Sequence, residues 1–171
     1  TVSPDNLSYR FTLHPNIKFH DGSTLTSADV KASFDRLRNP PAGVVSLRQG
    51  MLADVNTIET PDDNTVVFTF KRKNAAALQL LAMPYACVYS AKLMASDPSY
   101  PTKRVMGTGP FRFVRHTPGS EWVGERFNDY FVDNASGAPM SCDDPAADPN
   151  LRCQGGFVRL PDNQVRDKVY T

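Results

Sequence analysis

The segment from Thr26 to Pro41 constrains the fold more than any other, because its residues define both ends of one helix. Thr26 and Asp29 have the spacing of a capping box, in which two side chains satisfy free N–H groups at a helix start. Asn39-Pro40-Pro41 ends the pattern, since proline disfavours helical backbone in the residue before it. The segment therefore predicts a helix that ends near Arg38. Its apolar stripe consists of Val30, Phe34 and Leu37.

Short stretches rich in alternating apolar residues predict strands on both sides of this helix. They cover residues 8–13, 17–22, 55–60, 65–70, 86–90, 111–116, 121–127 and 157–160. Asp21-Gly22 is a strong turn signal, because glycine adopts positive φ without steric cost. Further helical segments are predicted at residues 74–83, 91–94 and 163–170. Since hairpins outnumber β-α-β units, the predicted fold class is α+β, with a mixed sheet and flanking helices.

The size and composition are those of an ordinary globular domain. A chain of 171 residues with 40% hydrophobic and 22% charged residues can bury a real core. The formal net charge is +1, so there is no basic excess and no nucleic-acid partner is predicted. No apolar run approaches the roughly 20 residues that span a bilayer. No signal peptide begins at Thr1, so a leader is expected to have been removed or never included.

The three cysteines fall into two groups. Cys87 lies in an apolar stretch and is predicted to be a small buried side chain. Cys142 and Cys153 bracket a polar loop rich in Asp and Pro, which favours a loop-closing disulfide in an oxidising compartment. Two free surface thiols are the alternative. A zinc site is less favoured, because neither C-x₂-C spacing nor a nearby histidine is present.

No catalytic motif is found in the sequence. The G-x-S-x-G, H-E-x-x-H and P-loop patterns are absent. Gly107-Thr108-Gly109 lacks the further Gly, the Lys and the helix of a nucleotide loop, so a hinge or tight bend is predicted there. His14 precedes Pro15 and is expected to be exposed, and His116 lies at a hairpin tip and is expected to be solvated. His20 adjoins Asp21 in a turn, where capping or solvent contact is expected rather than catalysis. The prediction is a protein without enzymatic activity, metal or cofactor, although a nucleophile brought beside a histidine by the fold stays open.

Tyr85 and Trp122 each have a structural and a functional interpretation. Trp122 lies in the middle of a predicted strand, and core packing is favoured for it. Tyr85 follows Pro84 in a loop after a predicted helix. A tyrosine in such a loop can present its ring and hydroxyl to a small solute, but it can equally pack into the core.

Two runs of residues resemble the family 5 solute-binding proteins, the oligopeptide, dipeptide and nickel receptors of bacterial ABC importers. The first is a strand followed by an F-H-D-G-x-x-L-T-x-x-D-V run, here Phe19 to Val30, and the helix after it. The second comprises Gly107-Thr108-Gly109-Pro110-Phe111 and Arg126-Phe127-Asn128-Asp129-Tyr130. The resemblance covers residues 8–130 well and weakens beyond them.

This resemblance implies one lobe of a type II periplasmic-binding-protein fold, which closes on its solute like a hinged trap. Family members are much longer, so the chain is expected to be a fragment that alone binds solute weakly or not at all. Residues 1–130 would form part of the first lobe. Residues 131–156 would be an irregular insertion loop that carries the disulfide, and residues 157–171 a strand and truncated helix that return to the main lobe.

The resemblance also implies the partners. They are a small solute, most commonly a peptide, and the permease subunits of an ABC importer, outside the cytoplasm and with a membrane anchor on the full-length protein. Nickel chelates and sugars remain alternative solutes. The predicted cleft-facing residues are Tyr85, Thr108 and Gly109. A standalone extracellular interaction domain, with the disulfide loop as its contact surface, and a hydrolase are the alternative functions.

Overall fold

The structure is a computed structural model that describes residues 1–131, 152–154 and 157–161, the last two ranges as paired strand backbone. Its helices are α1 Ser27–Arg38, α2 Ala77–Leu81, α3 Ala91–Ser96 and α4 Tyr100–Lys103, with a short 3₁₀ helix at Gln49–Leu52. Its strands are β1 Ser8–Thr12, β2 Val55–Asp62, β3 Thr65–Phe70, β4 Phe111–Thr117, β5 Glu121–Arg126, β6 Arg152–Gln154 and β7 Phe157–Pro161. The predicted α+β class is confirmed.

The chain divides into two compact units, and each contains one sheet. The first unit consists of Thr1–Asn16 and Leu25–Arg104, and the second of Ile17–Thr24 and Val105–Thr171. The sequence predicted one mixed sheet. The described strands instead form two sheets in which every pairing is antiparallel. The physical reason is that each sheet grows around a hairpin, whose strands run in opposite directions.

The first unit packs α1 against a three-stranded sheet with the order β1-β3-β2. Phe34 of α1 meets Phe68 of β3 edge to face, with 5.0 Å between the ring centroids. Val66, Phe68 and Phe70 are buried and form the inward face of β3. The predicted capping box also forms, because the Thr26 N–H donates to the Asp29 carboxylate over 2.7 Å. Local sequence signals thus set the framework of this unit.

The second unit contains a sheet with the order β4-β5-β7-β6. The hairpin between β4 and β5 turns at Gly119, whose φ of +73° lies in the region that favours glycine. Trp122 of β5 is buried and lies beside Phe113 of β4, with 5.8 Å between the ring centroids, so its predicted core role is confirmed. β6 falls inside the segment that was predicted to be an irregular loop. The predicted domain boundaries themselves stay a prediction.

Three predicted elements are wrong or too long. Residues 17–22 form no regular strand, only a bridge between Lys18 and Thr24 around a turn. The helix predicted at residues 74–83 shortens to α2. Residues 86–90 join no sheet, because the Ser33 hydroxyl accepts the Tyr89 N–H in place of a strand partner. The helix predicted at residues 163–170 lies outside the described residues, and no described helix is long and apolar enough to cross a membrane.

Candidate functional site

The Gly107-Thr108-Gly109 bend in the second unit is hydrogen-bonded to His20, through both the backbone and the ring of that residue. The backbone N–H of His20 donates to the Gly107 carbonyl over 2.9 Å. The Gly107 N–H lies 3.3 Å from Nδ1 of the same residue, and Nε2 lies 3.0 Å from the Gly109 carbonyl oxygen. One residue therefore holds both ends of the bend, and Thr108 lies between these two ends.

These contacts define the protonation state of the imidazole ring. Nε2 faces a carbonyl oxygen, which can only accept, so Nε2 carries the proton. Nδ1 faces an N–H group, so Nδ1 offers a lone pair. Burial lowers the pKa of His20 below its ordinary value of 6.5, and the charge of Arg112 acts in the same direction against the Gly109 hydrogen bond and Asp21. The ring is thus neutral at pH 7, in its Nε2–H tautomer.

The residues around His20 hold its ring in place. Phe127 meets the ring edge to face, with 5.0 Å between the centroids, and its N–H donates to the Pro110 carbonyl over 2.8 Å. Lys18 pairs with Asp129 over 3.1 Å within the same unit. Phe127 directly follows β5, and Pro110 directly follows the bend. The bend, the ring and the end of β5 therefore form one hydrogen-bonded group.

Each residue of Phe19-His20-Asp21-Gly22 has a separate structural role. The Phe19 side chain is almost fully buried. Asp21 accepts hydrogen bonds from the backbone N–H and hydroxyl of Ser23, which stabilises the turn. Gly22 adopts a φ of +85°, as the turn requires. His20 is the residue of this run whose side chain reaches the bend.

Tyr85 lies in the first unit, in a turn after α2. Its side chain is 53% exposed, which places it on the surface and not in the core. The Arg48 guanidinium lies over its ring, 4.0 Å from the centroid, in a cation–π contact. Leu37, Leu80 and Met83 line a small apolar depression together with these two residues. Tyr85 therefore presents an aromatic edge and a hydroxyl beside a positive charge.

The segment that carries Tyr85 is held by buried polar groups of α1. The Ser33 hydroxyl accepts the Tyr89 N–H over 2.8 Å and donates to the Asp29 carbonyl over 2.7 Å. The Asp29 carboxylate accepts the Ala91 N–H over 2.8 Å. Both polar side chains are buried. Asp29 and Ser33 are four residues apart, so they lie on the same face of α1. This spacing is the feature of the sequence from which the contact could have been predicted.

The structure places the three predicted site residues in two groups. Thr108 and Gly109 lie together on the bend of the second unit, and Tyr85 lies in the first unit. Their role as solute contacts stays a prediction. For His20, where capping or solvent contact was expected, the structure shows a half-buried ring that is hydrogen-bonded to backbone groups of the bend. His20 lies in the first of the two runs that carried the family resemblance, and its partners Gly107 and Gly109 lie in the second.

The structure tests only part of the cysteine and metal predictions. Cys142 lies outside the described residues and the Cys153 side chain is not described, so their disulfide stays a prediction. Cys87 is half-buried rather than buried, with Sγ 3.3 Å from the Pro84 carbonyl oxygen, and burial raises the pKa of its thiol. Among the residues that the structure describes, no three His, Cys, Asp or Glu side chains come together as metal ligands.

Comparison with known proteins identifies the class of molecule. Residues 1–148 match the model of the family described as bacterial extracellular solute-binding proteins, family 5 middle. A glutathione-binding protein, GsiB of Pectobacterium atrosepticum, is 34% identical over 76% of this chain and 25% of its own length. Di/tripeptide-binding protein 4 of Pseudomonas aeruginosa is 32% identical over 96% of this chain and 34% of its own length. The chain belongs to the family 5 solute-binding proteins, and the predicted resemblance is confirmed.

Solved structures place the fold in the same class. The binding protein AgaA of A. tumefaciens R10, in complex with agropinic acid, superposes with a TM-score of 0.69 at 37% identity, over 77% of this chain and 26% of that protein. DppA of Helicobacter pylori, in complex with the peptide STSA, has a TM-score of 0.69 at 25% identity, over 78% of this chain and 30% of that protein. The type II periplasmic-binding-protein fold is thereby confirmed. The chain spans 25% to 34% of the length of these relatives.

Proposed function

We propose that this chain forms part of the receptor of an ABC importer, which binds a peptide or a similar small solute outside the cytoplasm and delivers it to a membrane permease. Membership of the family 5 solute-binding proteins is the observation that carries the proposal. The similar proteins named above bind glutathione, di- and tripeptides, agropinic acid or a peptide. A membrane anchor on the receptor is part of the same proposal.

The bend at residues 107–109 supports the binding role. His20 uses the Gly107 N–H and both glycine carbonyls. Within residues 1–131, no hydrogen bond to protein is found for the Thr108 hydroxyl or for the N–H groups of Thr108 and Gly109. Such neighbouring donors suit the carbonyl or carboxylate oxygens of a peptide. Thr108 and Gly109 are therefore the proposed solute contacts of the second unit.

Tyr85 is the proposed contact of the first unit. Its exposed hydroxyl and ring edge can meet a polar solute, while the Arg48 guanidinium covers the ring. A guanidinium beside an aromatic ring also suits a carboxylate group. This arrangement favours a solute that carries both apolar and anionic parts, as a peptide does.

A binding role without catalysis is the second part of the proposal. The family is one of solute-binding proteins. Within the described residues, His20 uses both ring nitrogens to hold backbone groups. A histidine engaged in this way is a poor general base, because neither nitrogen is available to accept a proton from a substrate.

Isothermal titration calorimetry on the full-length protein tests this function directly. Titration with di- and tripeptides, reduced glutathione and agropinic acid is expected to give saturable binding for one of these solutes. Thr108→Val removes the hydroxyl with little change in shape. It is expected to weaken binding by roughly 3- to 10-fold, the effect of one lost hydrogen bond.

Thr117→Val is the matched control for this substitution. Thr117 is exposed at the end of β4, so its variant should bind like the original protein. Equal affinities for the Thr108 variant, the control and the original would show that the Thr108 hydroxyl does not contact the solute. Absence of saturable binding for all of these solutes would overturn the proposed binding of a peptide or a similar small solute.

A further inference from the structure

We infer that His20 is a positioning residue for solute binding: its neutral imidazole fixes the 107–109 bend so that Thr108 and Gly109 present their donors to the solute. The part that concerns solute rests on the proposed function above. His20 itself does not contact the solute in this inference. It acts through the two glycines on either side of Thr108.

The glycines explain why the bend needs an external restraint. A Cβ atom added at Gly107 or at Gly109 would meet nothing within 4 Å, and neither residue has positive φ. Neither crowding nor a left-handed backbone therefore accounts for glycine at these positions. Two glycines give the free chain large backbone freedom, which costs free energy to remove. Two hydrogen bonds of the His20 ring provide a restraint at both glycines, beside the backbone bond from the His20 N–H to the Gly107 carbonyl.

The hydrogen-bonding pattern makes this restraint depend on protonation. The neutral Nε2–H tautomer donates to the Gly109 carbonyl and accepts from the Gly107 N–H. A proton added at Nδ1 turns this acceptor into a donor that opposes the Gly107 N–H. That hydrogen bond is then lost, and the Gly107 end of the bend keeps only its bond from the backbone N–H of His20. Acid should therefore weaken the solute site through His20.

The groups around the ring set where this transition falls. Asp21 of the same turn favours the charged ring, and Arg112 of β4 opposes it. Arg112 is itself paired with Glu125 of β5. Phe127, which meets the ring edge to face, carries no charge. Burial is the largest effect and lowers the pKa of His20, so the restraint persists below pH 6.5 before acid breaks it.

Nuclear magnetic resonance of the imidazole nitrogens tests the restraint without any ligand. At pH 7.5 the His20 ring of the 171-residue chain should show a protonated Nε2 and an unprotonated Nδ1. On acidification, the amide signals of Gly107 and Gly109 should shift with the same midpoint as the His20 ring, and this midpoint should lie below 6.5. An Nδ1–H tautomer, or glycine amides that do not follow the His20 titration, would overturn the inference.

Three substitutions separate hydrogen bonding from packing. His20→Phe keeps an aromatic ring against Phe127 and removes both side-chain hydrogen bonds. His20→Gln retains one donor and one acceptor on a side chain that does not titrate. His116→Gln, at an exposed position of β4, is the matched control. In the full-length protein, His20→Phe should weaken solute binding by about 10-fold or more, because two hydrogen bonds are lost.

The rescue and its pH profile give the decisive readout. His20→Gln should bind within about 3-fold of the original at pH 7.5, since it restores both hydrogen bonds. Between pH 7 and pH 5 the affinity of the original and of the His116 variant should fall, and that of His20→Gln should fall less. A His20→Phe variant that binds like the original disproves the positioning role and leaves the receptor function intact. If no protein binds solute, the receptor function fails, and the glycine titration still decides whether His20 fixes the bend.

Discussion

At the scale of single residues, the contacts of His20 with the bend join parts of the chain that are far apart in sequence, so no local sequence pattern predicts them. Thr108 and Gly109 could be nominated from sequence, because a Gly-Thr-Gly bend is visible in the chain. His20 could not be assigned to them, since its partners lie far away in sequence. The sequence context of His20, beside Asp21-Gly22, indicates a turn, and turns are usually solvated. Only the folded backbone brings its ring to the bend.

Gly124 is a residue whose small size has a direct structural cause. A Cβ atom at this position would lie 2.5 Å from the Trp122 ring and 3.3 Å from the Arg112 carbonyl oxygen. Gly124→Ala is therefore expected to lower the free energy of unfolding by about 1–3 kcal/mol, because the buried ring of Trp122 must move. Urea denaturation followed by the fluorescence of Trp122, the single tryptophan, measures this loss.

Gly50→Ala provides the comparison for that substitution. A Cβ atom at Gly50 would meet nothing within 4 Å, and the residue has no positive φ. Alanine at Gly50 should leave stability unchanged or raise it by up to about 1 kcal/mol, since it restricts the unfolded chain. If the two alanine variants have the same stability and the same fluorescence, Trp122 does not require glycine at position 124.

At the scale of elements, the sequence predicts what local interactions determine. The capped helix α1 and the hairpins β2–β3 and β4–β5 form where the pattern places them, because caps, turns and alternation are local properties. The strand at residues 86–90 is wrong because its β-like composition finds no sheet edge. That segment is held instead by α1, through a tertiary contact that propensity does not encode.

Ser33→Ala tests whether α1 holds the segment that carries Tyr85. The buried hydroxyl accepts the Tyr89 N–H and donates to the Asp29 carbonyl. Its loss should lower the free energy of unfolding by about 1–3 kcal/mol, less a few tenths for the better helix propensity of alanine. Amide hydrogen exchange at Tyr89 should accelerate as well.

Ser120→Ala, in the exposed turn of the β4–β5 hairpin, is the control for Ser33. It should change neither the stability nor the exchange of the Tyr89 amide. A Ser33 variant with unchanged exchange at Tyr89 would show that the segment is held by its other contacts, including the Asp29 carboxylate on the Ala91 N–H.

At the scale of the whole molecule, the division into two compact units was not foreseen from the sequence. Residues 17–24 belong to the second unit, although they lie between parts of the first in the chain. A pattern read along the chain treats neighbours in sequence as neighbours in space, and here that assumption fails. The family, in contrast, was identifiable because its signatures lie in short contiguous stretches, residues 19–30, 107–111 and 126–130.

The dependence of global stability on pH follows from His20 with a definite sign. The unfolded chain binds a proton at His20 as pH falls through 6.5, whereas the folded protein binds it only at lower pH, because burial depresses the folded pKa. Within this window the unfolded state holds more protons, so the free energy of unfolding decreases as pH falls. The slope is at most about 1.4 kcal/mol per pH unit, and less in practice because the ring is only half-buried.

The difference between the original protein and His20→Gln isolates this contribution from the carboxylates, which titrate in both. Urea denaturation at intervals from pH 7.5 to pH 4.5 should give a stability difference that changes below pH 6.5, in the direction that favours the glutamine variant, and then becomes constant below the folded pKa. The same series on His116→Gln, a substitution at an exposed position of β4, is measured alongside. A difference that favours the original as pH falls would mean that the folded state prefers the charged ring. Such a result would contradict the Nε2–H tautomer on which the restraint of the bend depends.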